Sequence, residues 1–303
     1  MTRVLVTGAH GFLGRHAARA FARRGAEVTG LGHGAWAEDE RRAFGVGRWL
    51  AADVTAQALE RVGGDFDAIV HCAGPGSVGR SFEDPEGDRA RTVDTTAAVL
   101  EHVRRSCPRA ALIFPSTPAV HGDRDDAPIR ETDPMSPVSP YGAHKRIAEE
   151  LCRDYAARHG LAIAIIRFFS VYGPGLEKQL LWDACAKLAA GGDTAEFSGT
   201  GEETRDWIHV DDATDLILAA ADAGRAMTIN GGSGERYTIR ETLELLRRAL
   251  GARARLAFDG RVRAGDPRHY WADIARATAL GWRPAVRLAD GVADYAAWYW
   301  GRR

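Results

Sequence analysis

Thr7-Gly-Ala-His-Gly-Phe-Leu-Gly14 follows a short apolar run, Arg3-Val-Leu-Val-Thr7, and opens a helical pattern that ends near Arg24. Its glycines permit a tight turn and a close approach of the backbone to a ligand, and the free amides at the start of the helix attract negative charge. Such a turn between a strand and a helix is typical of the loop that holds the pyrophosphate of a dinucleotide. We therefore expect coenzyme contacts at Gly8, Gly11, Phe12, Leu13 and Gly14.

Strand patterns and helical patterns alternate through the first half of the chain. Short apolar runs typical of buried parallel strands occupy residues 26–31, 67–73, 110–115 and 161–167, and helical patterns occupy 88–106 and 141–159. This alternation predicts right-handed crossovers between parallel strands that are covered by helices on both faces. The predicted fold class is therefore α/β, with a Rossmann-like doubly wound parallel sheet. Residues 206–223, a strand and then a helix, are expected to return to that sheet.

The alternation weakens after about residue 170, where turn-rich segments such as Val171-Tyr-Gly-Pro-Gly175 separate short elements. We predict a dinucleotide-binding domain over residues 1–168 and 206–232. A smaller carboxy-terminal α/β lobe over 169–205 and 233–303 is expected to bind the substrate, with a helix over 237–250 and a Trp/Tyr-rich cluster in its tail. The cleft between the two should face the carboxyl ends of the strands, where ligands of such sheets bind.

The composition excludes several classes of partner. A formal charge of −1 at pH 7 gives no electrostatic reason to expect nucleic acid or an anionic membrane. No apolar run reaches the roughly 18 residues of a membrane helix, and the amino terminus leads into a strand rather than a signal peptide. The four cysteines have no metal-ligand spacing, so we interpret them as reduced thiols. We expect a cytoplasmic protein without a metal site.

Tyr141-Gly-Ala-His-Lys145 carries the second chemical signal. Lysine occurs only at positions 145, 178 and 187, although lysine and arginine together number 40, so a lysine four residues after a tyrosine is a selective feature. The two side chains share one face of a helix. A tyrosine acts as a base near neutral pH only when its pKa falls below about 10, and a nearby ammonium or a positive nicotinamide ring favours the phenolate. We interpret Tyr141 and Lys145 as a proton-transfer pair, with the Thr117 hydroxyl binding the reacting oxygen.

The segment after the second strand leaves the choice of coenzyme open. An acid that binds the adenosine ribose is expected there, but the chain reads Leu31-Gly32-His33-Gly34. His33, with Arg41 or Arg42, would tolerate a 2′-phosphate, so NAD and NADP both fit the sequence. Asp53-Val54 follows the third strand, and we expect it to touch the adenine.

Taken together, these features resemble the extended short-chain dehydrogenase/reductases, and within them the nucleotide-sugar epimerases. The resemblance covers nearly the whole chain and implies further coenzyme contacts at Val54, Cys72, Ala73, Gly74 and Phe168, besides Tyr141 and Lys145. Its motifs are Thr7-Gly-x-x-Gly-Phe-Leu-Gly14, Asp53-Val54, His71-Cys-Ala-Gly74, Pro115-Ser-Thr-Pro-Ala-Val-His-Gly122, Tyr141-x-x-x-Lys145, Arg167-Phe-Phe-Ser-Val-Tyr-Gly-Pro-Gly175 and Arg205-Asp-Trp-Ile-His-Val-Asp-Asp212.

A carboxy-terminal segment narrows the resemblance. Arg263-Ala-Gly-Asp266-Pro-Arg-His-Tyr270 is similar to the segment with which UDP-galactose 4-epimerases hold uridine diphosphate. By that similarity Arg205 and Arg263 contact the diphosphate and Asp266 contacts the ribose; the planar fork of arginine suits phosphate. The substrate contacts expected besides Thr117 and Tyr141 are Ser170, where the family usually has asparagine, and Lys178 and Gln179.

The resemblance also implies a reaction. Tyr141 would take the C4 hydroxyl proton of a nucleotide sugar while hydride passes to the nicotinamide, and hydride would then return to the other face of the 4-keto sugar. The 4,6-dehydratases of the family carry Asp-Glu directly after the threonine, whereas this chain has Pro118-Ala119. The leading hypothesis is therefore an NAD-dependent C4 epimerase of a UDP-hexose, with a homodimer formed by the helices at 88–106 and 141–159. The alternatives are an NADP-dependent 4-keto-sugar reductase and a non-catalytic dinucleotide-binding sensor.

Overall fold

Fourteen strands form the sheets of the computed structural model, which describes residues 1–124, 126–261 and 268–302. The strands are β1 (Arg3–Thr7), β2 (Glu27–Gly32), β3 (Val46–Ala51), β4 (Ala68–His71), β5 (Ala111–Ser116), β6 (Ile163–Phe168), β7 (Ser170–Tyr172), β8 (Thr194–Phe197), β9 (Thr204–Arg205), β10 (Trp207–His209), β11 (Met227–Gly231), β12 (Tyr237–Thr238), β13 (Arg255–Phe258) and β14 (His269–Tyr270).

Seven of these strands build a central parallel sheet in the order β11-β6-β5-β4-β1-β2-β3. The order reverses direction between β1 and β4, whose neighbouring carboxyl ends both lead into glycine-containing loops. A ligand site at such a reversal is the general rule for open α/β sheets. The predicted Rossmann-like doubly wound fold is therefore confirmed.

The described residues also form α-helices, some of which cover both faces of this sheet. They are α1 (Phe12–Arg23), α2 (Glu38–Ala43), α3 (Ala56–Val62), α4 (Val78–Glu83), α5 (Pro85–Arg89), α6 (Thr95–Ser106), α7 (Pro140–His159), α8 (Gln179–Ala189), α9 (Val210–Ala223), α10 (Ile239–Ala249), α11 (Ala275–Ala279) and α12 (Leu288–Trp300). On one face, α1 and α9 pack over a core that includes Val4, Val6 and Ile166. On the other, α3, α6 and α7 pack over Leu5, Ile69 and Leu112.

A third apolar core lies outside the central sheet. It joins α8, α10 and α12 through residues such as Leu181, Leu243 and Tyr295, and it includes the Trp/Tyr-rich tail. Within this core, the Trp182 ring contacts the rings of Trp298 and Tyr299. No helix within the three described ranges is long and apolar enough to cross a membrane.

Two predicted elements differ from the structure. The helix predicted over 88–106 begins earlier, because Pro85 starts α5 and the Asp84 side chain accepts a hydrogen bond from Gly87 N at 2.9 Å. It is then interrupted by a π-helical turn, Ala90–Asp94. The strand predicted near residue 206 does not join the central sheet: β10 pairs with β7, although its Ile208 shares the core between α9 and that sheet.

Candidate active site

The glycine loop after β1 has the geometry of a backbone cradle. Gly8 has φ +67°, and its amide donates to Leu31 O at 2.7 Å, while Gly11 N donates to Gly8 O at 2.9 Å. A Cβ on Gly14 would lie 2.2 Å from Gly8 O, and one on Gly8 would lie 2.7 Å from Ala73 N. Side chains at these positions are therefore excluded, and the open amides at the start of α1 fit a pyrophosphate.

The loop after β4 adjoins this cradle. Thr7 Oγ1 lies 2.7 Å from His71 Nδ1 and accepts a weaker bond from Ala73 N at 3.4 Å, so the ends of β1 and β4 are tied together. Cys72 and Ala73 are half-buried at this junction, and Gly74 continues it with φ +138°. The structure thus brings Cys72, Ala73 and Gly74 beside the glycine loop, as predicted.

The other predicted coenzyme residues differ in exposure. His33 and Asp53 are both strongly exposed, and His33 Nδ1 lies 4.0 Å from Asp53 Oδ1. Val54 and Phe168 are buried in the core, so they present little side-chain surface to a ligand.

The predicted role of Arg41 or Arg42 at a 2′-phosphate finds no geometric support. Arg41 donates to the carbonyl oxygens of Val46 and Gly47, at 2.9 and 2.7 Å, and Arg42 pairs with Glu38. Both guanidinium groups therefore already interact with neighbouring protein atoms.

An aromatic group at the adenosine end of the loop was missed by sequence reasoning. The His10 ring stacks on Trp36 with centroids 4.7 Å apart, and Trp49 meets Trp36 edge-on at 5.4 Å. The signal for it was present in β2, because a Cβ on Gly30 or on Gly32 would lie 2.9 Å from the Trp49 ring. Arg15 also belongs to this group, since it donates to His10 O at 2.7 Å.

Thr117 and Tyr141 meet just beyond the end of β5, and Lys145 contacts the carboxyl end of that strand. Thr117 follows the strand directly and hydrogen-bonds to Tyr141, which stands in the first turn of α7. That turn is fixed by its sequence, because Pro140 suits a first helical position and the Ser139 hydroxyl accepts from Gly142 N at 3.1 Å. Lys145 Nζ donates to Pro115 O at 3.0 Å and lies 4.7 Å from the Phe114 ring centroid.

Burial dominates the electrostatics of Tyr141 and Lys145. Burial raises the pKa of Tyr141 to about 12; the Thr117 hydrogen bond lowers it, and the Asp88 charge raises it further. Burial also lowers the pKa of Lys145 to about 8, against the opposing effects of Cys72 and Glu149. In the protein alone, desolvation therefore disfavours the phenolate more than the Thr117 hydrogen bond favours it.

Two of the predicted substrate residues stand on short strands outside the central sheet. Ser170 begins β7, and its amide donates to Asp206 O at 2.9 Å. Arg205 ends β9, and its charge lowers the pKa of Tyr270, which burial raises strongly and the neighbouring Tyr141 also raises. Tyr270 therefore links the Arg205 side of the cleft to Tyr141. Arg263 and Asp266 lie outside the described residues.

Lys178 and Gln179 lie at the start of α8. Gln179 has φ +68°, which is uncommon for a residue with a side chain and marks local strain. Lys178 Nζ comes within 3.9 Å of the position of a Cβ on Gly76, so this side chain approaches the loop after β4. Lys178 is exposed by surface area, yet the surrounding protein and the Arg80 charge lower its pKa. Its position suits contact with an anionic ligand.

A buried ion pair supports the site from behind. Arg167 donates to Glu149 Oε2 at 2.7 Å and to Oε1 at 2.9 Å, and both side chains are at most 1% exposed. Ser116 Oγ also donates to Glu149, at 2.6 Å, and Arg167 Nη1 lies 2.9 Å from His121 Nε2. The network joins α7, β5 and β6, and it was not predicted, because charged residues in a helical pattern are usually on its exposed face.

A parallel sheet, a dinucleotide cradle and a Thr/Tyr/Lys group define the class of nucleotide-dependent dehydrogenase-like proteins. The family model described as "NAD dependent epimerase/dehydratase family" matches residues 4–239. The chain belongs to this family, and the predicted resemblance to extended short-chain dehydrogenase/reductases is confirmed.

Individual relatives include both epimerases and dehydratases. The chain is 32% identical to a UDP-glucose 4-epimerase of Mycolicibacterium smegmatis over 302 residues, which cover 96% of each protein. It is 25% identical to the UDP-glucuronic acid 4-epimerase of Bacillus cereus, solved with UDP-glucuronic acid and NAD, with a TM-score of 0.89 and full coverage of both chains. It is 31% identical to the dTDP-glucose 4,6-dehydratase of Streptomyces venezuelae, solved with NAD, with a TM-score of 0.89 and coverage of 100% and 98%.

Proposed function

We propose that this protein is an NAD-dependent nucleotide-sugar epimerase that inverts C4 of a UDP-hexose through a transient 4-keto sugar. The observation that carries the proposal is that Thr117 hydrogen-bonds to Tyr141 just beyond β5, while Lys145, one turn along α7, donates to Pro115 O at the carboxyl end of that strand. Pro118 and Val120 follow Thr117 in a buried 3₁₀ turn. That turn offers no acid or base for the elimination of water, which favours an epimerase over a dehydratase.

The residues of the chain have separate tasks in this reaction. Thr117 and Tyr141 bind the C4 oxygen, and Tyr141 removes the hydroxyl proton and later returns it. Lys145, one helical turn from Tyr141, would contact the coenzyme and supply a positive charge on the same face of α7. A bound NAD would supply the hydride chemistry, and the positive charge of its oxidised ring would favour the Tyr141 phenolate. This added charge is needed because burial raises the pKa of Tyr141 to about 12.

We assign coenzyme binding to one side of the cleft and binding of the substrate's nucleotide to the other side. Gly8, Gly11 and Gly14 offer backbone room for the coenzyme pyrophosphate, and NAD in the Bacillus cereus and Streptomyces venezuelae structures supports NAD here. Arg205, Arg263 and Asp266 would hold the nucleotide of the substrate. We retain the division into a coenzyme domain (1–168 and 206–232) and a substrate lobe (169–205 and 233–303) as part of the proposal.

The surroundings of the carboxyl end of β2 support a second candidate function, that of a reductase. β2 ends at Gly32 and is followed by His33 rather than a carboxylate; His10 and Arg15 also lie near that end, together with Asp53 beside His33 and Glu40 beside Arg15. Such surroundings tolerate a 2′-phosphate. An NADP-dependent 4-keto-sugar reductase is therefore the second candidate, and it differs by net consumption of coenzyme.

The test is to incubate the purified protein with UDP-glucose, UDP-glucuronate or UDP-N-acetylglucosamine and no added coenzyme, and to follow the sugar by NMR. We expect one of these to reach equilibrium with its 4-epimer without net formation of reduced coenzyme. Conversion only with stoichiometric NADPH would favour the reductase. Coenzyme binding without conversion of any sugar would favour the non-catalytic sensor.

We further propose a cytoplasmic homodimer. The partner surface would be formed by α6 and α7, where Ile147 is 41% exposed on α7. An exposed large apolar side chain on a long helix suits burial against a second copy.

A further inference from the structure

Asp88 is a buried carboxylate that the proposed reaction does not use. It stands near the end of α5 and is 1% exposed. Its Oδ2 accepts a hydrogen bond from His144 Nδ1 at 2.6 Å, while its Oδ1 has no partner among the described residues. A buried carboxylate with one unsatisfied oxygen is costly, so a fold that retains it needs a reason.

The partner of Asp88 stands inside the catalytic segment. His144 immediately precedes Lys145 and lies three residues after Tyr141, so it shares the first two turns of α7 with both. The α4–α5 hairpin contacts those turns twice, because Ser81 Oγ also accepts from Tyr141 N at 3.1 Å. From the opposite side, Pro115 O accepts from Lys145 Nζ. The hydrogen bonds of the hairpin therefore fix the rotation and depth of the segment that carries both groups.

The backbone after Asp88 is also irregular. The π-helical turn Ala90–Asp94 follows it, and Thr92 Oγ1 in that turn is a second buried polar atom without a partner among the described residues. Single π-helical turns inside α-helices are frequent at functional sites. The irregularity and the two unsatisfied atoms thus coincide beside the Tyr141–Lys145 segment.

We propose that Asp88 and His144 form a positioning pair for the Tyr141–Lys145 site: His144 ties α7 to α5, and the Asp88 carboxylate keeps a negative charge beside both groups. The other titratable groups that face the site are Tyr270 from β14, His71 and Cys72 at the end of β4, and Glu149 and Cys152 on α7. On the outer side of α5 and its π-helical turn, Asp84 pairs with Arg91 and Asp94 with Arg89, and Arg80 of α4 faces Lys178.

The sign of the electrostatic effect follows from the charges. Burial dominates both titrations, and it raises the pKa of Tyr141 and lowers that of Lys145, but Asp88 raises both. Its charge thus keeps Lys145 protonated to higher pH and makes Tyr141 harder to ionise. Removal of the charge should lower both pKa values.

The first experiment uses the small number of lysines and needs no enzymatic activity. The full chain is labelled with ¹³C at lysine Cε, the Lys145 signal is assigned with Lys145→Arg, and its titration is followed by NMR in wild type and Asp88→Asn. We expect its pKa, about 8 in the native protein, to fall by about half a pH unit in the variant. Lys187 should not shift, and the matched control Asp94→Asn, at an exposed carboxylate, should leave Lys145 unchanged.

An unchanged Lys145 titration in folded Asp88→Asn would overturn the electrostatic part. The positioning part is tested separately with His144→Ala and His144→Asn, which leave the Asp88 charge in place. We expect His144→Ala to lower kcat about 10-fold with KM nearly unchanged, and His144→Asn to recover much of that loss, because its amide can donate where Nδ1 did. Equal activity of the two His144 variants would contradict the positioning role. This comparison does not require folded Asp88→Asn, so it tests the positioning role even if that variant does not fold.

The activity arm rests on the proposed function, and the NMR arm does not. With an active enzyme, Asp88→Asn should also move the rising limb of the kcat–pH profile to lower pH, whereas Asp94→Asn should not. If no nucleotide sugar is converted, the proposed function fails, and the Lys145 titration still decides whether Asp88 acts on the site.

Discussion

Tyr141 is the residue on which the proposed chemistry depends most directly. Tyr141→Phe removes the hydroxyl that exchanges the proton but keeps the ring and its packing, so the coenzyme should still bind. We expect kcat to fall about 10²-fold or more, the usual contribution of a general acid or base. The measurement is the rate of epimerisation under saturating nucleotide sugar.

Tyr155→Phe is the matched control for this variant. Tyr155 stands on the same helix, and its hydroxyl lies 3.5 Å from Glu101 Oε2, at the limit of a hydrogen bond. Its kcat should stay near that of wild type. Tyr141→Phe with near-normal turnover would remove the basis of the mechanism.

Single residues show where sequence reasoning succeeded and where it could not. Tyr141 and Lys145 were identifiable because their spacing places them on one face of a helix. The direction of the pKa shift of Tyr141 was not, because it depends on how deeply β5, α5 and β14 bury the phenol. The His144–Asp88 contact joins residues 56 positions apart, and no local pattern connects them.

At the level of elements, the Glu149–Arg167 pair fastens α7 to β6. Glu149→Gln leaves the Arg167 charge buried without its partner, so we expect the free energy of unfolding to fall by about 3–5 kcal/mol. Chemical denaturation measures this. Glu150→Gln, on the same helix, removes only an exposed pair with Arg146 and should change stability by less than about 0.5 kcal/mol. Equal stability of the two variants would refute a fastening role.

The same pair gives a pH dependence of defined sign. Burial alone would raise the pKa of Glu149, but the hydrogen bond and charge of Arg167, with Ser116, outweigh it and lower the pKa below its usual 4.5. A lowered pKa in the folded state contributes stability that is fully present above about pH 4.5 and is lost as the pH falls further. The difference in denaturation midpoint between wild type and Glu149→Gln should therefore shrink as the pH falls from 7 into the acid range. A constant difference would contradict the assignment.

The glycine loop provides a second test at this scale. Gly14→Ala would place a Cβ 2.2 Å from Gly8 O, so the loop must open and the coenzyme should be lost. The bound nucleotide per chain after purification measures this. Gly79→Ala in α4, where nothing lies within 4 Å of a Cβ, is the control and should retain coenzyme. Full coenzyme content in Gly14→Ala would show that the cradle does not depend on this close packing.

The elements themselves were largely predictable, with two informative exceptions. The central strands and α7 followed from apolar runs, Pro140 and Gly160, which are local signals. The π-helical turn was not predictable from local signals. There the Thr95 and Thr96 hydroxyls donate to the carbonyl oxygens of Arg91 and Thr92, at 2.7 and 2.6 Å, and these bonds compete with the regular helix bonds. The pairing of β10 with β7 is a tertiary choice that an apolar run does not specify.

For the whole molecule, the predicted dimer can be tested by sedimentation equilibrium at micromolar concentration. Ile147→Glu places a charge on the exposed face of α7 and should give a monomer, because an unpaired charge is costly in an apolar interface. Val138→Glu is the control, since Val138 is 57% exposed but lies outside the helices. A monomeric wild type would contradict the proposed dimer.

At this scale the sequence predicted the parallel sheet, but not the aromatic group beside the glycine loop. The stacked His10 and Trp36 rings and the Trp49 edge come from three separate segments, and the Trp49 ring packs over Gly30 and Gly32. The ordinary rule of an acid after β2 therefore does not decide the coenzyme in this chain. Coenzyme identity has to be measured.

The central claim is an epimerase that keeps and recycles its own NAD. It is tested most directly by denaturing the purified protein and identifying the released nucleotide by mass spectrometry. We predict NAD in a near-stoichiometric amount. A protein that releases no nucleotide, or that releases NADP(H), would contradict the claim and favour the reductase.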